Sequence, residues 1–83
     1  DHQRLARQQM RQFRSFVNAQ YGLPARDLDE EFVEKLAGKS EISEKAIRAI
    51  INQFREIEQT GQISTDTLIA FHQKIDSFYK HCK

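Results

Sequence analysis

Arg4, Arg7, Arg11 and Arg14 follow one another at spacings of three, four and three. Residues three and four apart are neighbours on a helix surface, so that spacing gathers the four guanidinium groups on one face. Groups so crowded repel, and a polyanion relieves the repulsion: the phosphates of lipid head groups or of nucleic acid. Solvation of the face, or ion pairs with Glu30, Glu31 and Glu34 on the following helix, answers the same need. No lysine accompanies the arginines and no aromatic residue interleaves on their face, which counts against binding of single strands.

Other reactive residues form no complete constellation. Asp27, Asp29 and Glu31 alternate as calcium-loop ligands do, but Phe32 stands where the turn-making glycine belongs and Gly38 where the distal glutamate belongs. Helix capping accounts for these acids. His72 and Asp76 are one helical turn apart, and His81 adjoins Cys82. A metal would need a third and fourth ligand, for which the sequence has no source. The single cysteine rules out an internal disulfide and has no Ser/His/Asp-like partners that would make it a nucleophile. No glycine-rich phosphate loop occurs. The helix–loop–helix over residues 28–57 is a poor DNA reader: its second helix opens with Glu44, Lys45 and Arg48, and its connection is longer than the tight turn of that motif. The expectation is a chain without catalytic, cofactor-binding or metal-binding residues, not an enzyme. Arg4, Arg7, Arg11 and Arg14 are the candidate contacts to an anionic surface or a partner.

The elements that carry these residues are helices. Three glycines and one proline in 83 residues leave little material for the turns of a small β-fold. Ala6, Met10, Phe13 and Val17 form one apolar stripe, with Leu5 and Phe16 beside it, predicting a helix over 3–20 ended by Gly22 and Pro24. A second, over 28–37, starts from Asp27 as cap, with Glu30 completing a D-x-x-E capping box, buries Leu28, Phe32, Val33 and Leu36, and stops at Gly38. Ser43 caps a third over 44–59, whose Ile47, Ile50, Ile51, Phe54 and Ile57 give the strongest periodic signal in the chain; Gly61 ends it. Ser64 or Thr65 caps a fourth over 66–81, with Leu68, Phe71, His72, Ile75, Phe78, Tyr79 and Cys82 as its buried stripe. Short loops make successive helices antiparallel neighbours. The prediction is one all-α domain over 1–83, a small four-helix bundle.

Charge is segregated. Residues 1–26 carry five arginines against Asp1, residues 27–63 carry nine acids against five bases, and the remainder is close to neutral. No run of 18 apolar residues is present to span a bilayer.

Leu28-Asp29-Glu30-Glu31-Phe32, then Glu34-Lys35-Leu36 and Lys39-Ser40, with Ile63-Ser64, Leu68-Ile69 and Phe78-Tyr79-Lys80, resemble the C-terminal helical tail of a Bacteroidetes-type membrane-protein family. That family is encoded near MoxR-type AAA ATPases and von Willebrand A-domain proteins. The resemblance runs from about Arg7 to Tyr79. It implies a domain excised from the C-terminal end of a longer bacterial protein, tethered in the cytoplasm to the inner membrane through an upstream segment. Arginines just after a transmembrane helix would then obey the positive-inside rule. The function expected is a non-enzymatic protein-interaction module with an unidentified protein partner and an anionic membrane surface as a second contact. The alternative is a nucleic-acid-binding domain using the arginine face, and self-association is a third reading.

Overall fold

The computed structural model describes all 83 residues. Four helices follow in order: α1 (His2–Tyr21), α2 (Glu30–Ser40), α3 (Glu44–Gln59) and α4 (Thr65–His81). They enclose one core in a domain of 33 × 23 × 21 Å. Its floor is built from the predicted stripes: Ala6, Met10, Phe13 and Val17 of α1, Phe32, Val33 and Leu36 of α2, four isoleucines of α3, and Phe71, Ile75 and Phe78 of α4.

Hydrogen bonds reveal the order of packing. Gln3 Nε2 donates to the carbonyls of Ile57 (2.7 Å) and Thr60 (3.0 Å), so α1 begins where α3 ends and the two are antiparallel. The same side chain satisfies acceptors that the end of α3 would otherwise leave without partners. α3 and α4 are antiparallel as well, with Lys74 Nζ on Gln53 Oε1 at 3.0 Å and Phe54 stacked on Phe71. α1 and α4 therefore run parallel. His2 meets Thr65 at 2.8 Å at one end, and Phe16 lies 5.0 Å from Tyr79, centroid to centroid, towards the other. α2 packs on α1 and α3, and its backbone stays clear of α4.

Helix ends agree with expectation in three places. Gly22 takes the left-handed conformation (φ 67°) at the end of α1, and Ser43 and Ser64 cap α3 and α4 through their hydroxyls. α2 differs at both ends. Its cap is Asp29, whose carboxylate accepts from Phe32 N at 2.9 Å, and Asp27 lies outside the helix. The Asp27–Glu30 capping box does not form. The chain before Asp29 is held instead by Arg55, which donates to the Leu28 carbonyl at 2.7 Å. At the other end α2 passes through Gly38 to Ser40, and Glu41 takes the left-handed position (φ 64°). Ser40 explains the extension. Fully buried, it donates to the Leu36 carbonyl at 2.7 Å and accepts from Ile42 N at 3.2 Å, linking the last turn to the loop. Gly61 is likewise not the cap of α3; Thr60 is.

The stripe of α4 is narrower than predicted. His72 is exposed and Tyr79 is exposed at the margin, while Leu68 and Cys82 are partly buried.

Candidate functional site: the arginine face of α1

α1 carries four arginines and no acidic residue. Its cap, Asp1, accepts from Gln3 N and Arg4 N, which uses the nearest carboxylate in holding the helix end. The helix turns its core stripe inward and its arginines sideways and outward, and neighbouring elements answer them unequally.

Arg7 is the one that is paired. Its guanidinium reaches Glu58 of α3, Nε to Oε2 and NH2 to Oε2 both at 3.0 Å. The expected pairs with Glu30, Glu31 and Glu34 do not form. Glu30 faces α3 and binds Arg48, Glu31 binds Lys35 one turn along α2, and Glu34 is exposed. Antiparallel packing of α1 on α3, and not on the acidic edge of α2, decides this.

Arg14 is half-buried at the rim of an open groove of about 430 Å³ between α1, the α1–α2 loop and α3. Arg14, Arg26 and Arg55 face Asp27, Asp29 and Glu58 there, so the groove's charges cancel. Arg4 and Arg11 are exposed and have neither an ion pair nor a side-chain hydrogen bond. The face thus divides into one arginine bonded to the fold, one in a balanced groove and two turned to solvent.

The remaining candidates are placed apart. Asp76 pairs with Lys80 at 3.0 Å and not with His72. His81 Nδ1 lies 2.9 Å from the Ser77 carbonyl, and Cys82 Sγ donates to the Tyr79 carbonyl at 3.6 Å. Asp27, Asp29 and Glu31 line a second open groove of about 350 Å³ together with Arg26 and Lys35. No three of the His, Cys, Asp and Glu side chains converge on one point.

Sequence reasoning passed over the other flank of α1. Leu5 stands off the core stripe and remains exposed, as does Ile69 beside the inward Leu68 of α4. On α1 itself, Gln9 Oε1 is enclosed without a hydrogen-bond partner. Farther along, Phe16 and Tyr79 close the seam. Burial, then the neighbouring Cys82 thiol, pushes the Tyr21 phenol up to about 12, and burial raises Tyr79 too. Both phenols are neutral at ordinary pH, so the two tyrosines add no charge to this end of the seam.

No helix is long and apolar enough to cross a membrane. The family model of the DUF4350 C-terminal helical domain matches residues 1–82. No curated protein and no solved structure matches the chain.

Proposed function

The chain belongs to the DUF4350 C-terminal helical domain family, and from that premise we propose that it is a non-enzymatic interaction module carried on the cytoplasmic side of a bacterial membrane protein. In this reading the arginine face of α1 is turned to lipid head groups, and other surfaces are left to a protein partner. A gene neighbourhood with MoxR-type ATPases and von Willebrand A-domain proteins, which the sequence resemblance implies, belongs to the same proposal.

The observation that supports it is the unequal treatment of like residues. Arg7 is bonded to α3, whereas Arg4 and Arg11, on a helix with no acid of its own, are left to solvent. A basic side chain near an anionic bilayer contributes about 1 kcal/mol of attraction. Replacing both, Arg4→Gln with Arg11→Gln, is expected to weaken binding to phosphatidylglycerol-containing vesicles roughly thirtyfold. Vesicle sedimentation at low salt measures this, and binding should fade as ionic strength rises. Equal binding of the wild type to neutral and anionic vesicles would overturn the reading. Retention of duplex DNA with no retention of vesicles would redirect it to nucleic acid.

A further inference from the structure

Three large apolar side chains stay exposed in this domain: Leu5 (46%), Ile69 (48%) and Tyr79 (36%). All three belong to α1 and α4, the parallel pair. The register of that pair is set by two contacts of equal sequence offset, His2 with Thr65 and Phe16 with Tyr79, each 63 residues apart. The same offset brings Leu5 level with Leu68, beside Ile69. Leu5 and Ile69 therefore mark one end of a single seam and Tyr79 its other end.

The arginines lie across the outward face of α1 from this seam. One residue along a helix is a turn of about 100°, so Arg4 and Leu5 occupy adjacent quadrants of α1. The stripe of Arg4 and Arg11 and the stripe of Leu5 and Phe16 bracket an outward surface made of Gln8, Gln12, Ser15 and Ala19, all exposed and uncharged. On α4, Asp76 is neutralised by Lys80, and Asp66 sits in the first turn, where the helix dipole favours it. A surface with projecting apolar side chains on one side and unanswered cations on the other is complementary to one kind of occupant that makes no demand of shape: hydrocarbon beneath a layer of phosphate.

We propose that the α1–α4 edge enters the head-group layer of an anionic bilayer, with Leu5 and Ile69 as apolar anchors and Arg4 and Arg11 on lipid phosphates. Tyr79 completes the edge, an apolar ring with a polar tip of the kind that settles at the membrane interface. Arginine stems can lie along the apolar boundary while their heads reach phosphate. Buried apolar area and attraction to anionic lipid then act together. The inference rests on the membrane-facing reading of the arginines and specifies how that surface is seated.

The chain has no tryptophan, so Ile69→Trp creates a single reporter. With phosphatidylglycerol-containing vesicles its emission should shift to the blue and be quenched by bromine-labelled acyl chains. Lys45→Trp, exposed at the start of α3, should show neither change. The double variant Leu5→Ser with Ile69→Ser should partition about tenfold less onto the same vesicles, with its circular-dichroism melt unchanged. If vesicles sediment the double variant as well as the wild type and Ile69→Trp stays unshifted, the anchors are refuted while the arginine reading stands. Failure of the wild type to bind anionic vesicles removes both. A dimer seen by light scattering and dissolved by the serine variant would overturn the inference in favour of a second copy on this seam.

Discussion

Arg48 and Arg4 are both exposed guanidinium groups near the start of a helix, yet they stand in different company. Arg48, on α3, holds Glu30 of α2 at 2.7 Å and Glu44 of its own helix at 2.7 Å, tying the beginnings of two helices together. Arg4, on α1, has no carboxylate of another element against it. The contrast extends to whole surfaces. On the α2–α3 side, Lys35 is answered by Glu31 and Arg55 by the Leu28 carbonyl. On the α1–α4 side, Arg4 and Arg11 are unanswered and Leu5, Ile69 and Tyr79 uncovered. The named polar groups on the first surface serve the fold, whereas Arg4 and Arg11 on the second have no duty in it. The difference can be broken at three depths.

The deepest cut lies beneath the α1–α4 seam. Phe13 is fully buried and meets Phe78 edge to face at 5.1 Å, joining the two helices whose outer edges are open. Phe13→Ala removes a ring from a packed site, at a cost of about 3–5 kcal/mol. A domain of this length has on the order of 4–12 kcal/mol in total. The variant should therefore lose a large share of its stability and unfold at a clearly lower urea concentration than wild type, as urea titration followed by circular dichroism would register. A loss below about 1 kcal/mol would mean that the seam is not closed by its aromatic core.

A smaller effect, of opposite sign, sharpens the account of α2. Gly38 is inside the helix, and a Cβ added there meets nothing within 4 Å. Glu41 holds the left-handed position that glycine prefers. Gly38→Ala should stabilise by about 0.5–1 kcal/mol, and Glu41→Gly by a similar amount as left-handed strain is relieved. Were Gly38 the cap, alanine there would destabilise instead. Chemical denaturation of the two variants separates these outcomes.

This helix shows what the sequence could and could not convey. The stripes of α1 and α3 were legible because 3.6-residue periodicity over 16 to 20 residues leaves one inward face. α2 has 11 residues, and its limits depend on tertiary partners. Asp27 and Asp29 are chemically equal caps until Arg55 takes the Leu28 carbonyl, and Gly38 reads as a stop until Ser40 is seen bonded to Leu36. The candidate site was legible in the same partial way. Spacing placed four arginines on one helix, but which acid answers which arginine depends on the order of packing, and amphipathic stripes do not encode that order. The exposure of Leu5 and Ile69 was hidden for a related reason. An apolar residue beside a core stripe looks the same whether the next helix covers it or stops short.

The smallest change in stability is the most direct test of the comparison. Arg48 donates hydrogen bonds to Glu30 and holds its carboxyl below the usual carboxylate range. A depressed folded-state value means the pair contributes above the unfolded carboxylate value, about 4.3, and that the contribution is lost as pH falls through the lower folded value. Arg48→Gln should therefore melt slightly below wild type at neutral pH, and the gap should close on acidification below that range. Because the pair is exposed, the gap is small and salt should narrow it further. Arg4→Gln with Arg11→Gln removes two guanidinium groups with no partner to lose, and it eases repulsion along α1. Its melting temperature at neutral pH should match or slightly exceed that of wild type. Thermal melts of the two variants side by side decide the matter: a larger loss from the α1 variant than from Arg48→Gln would show that Arg4 and Arg11 serve the fold after all.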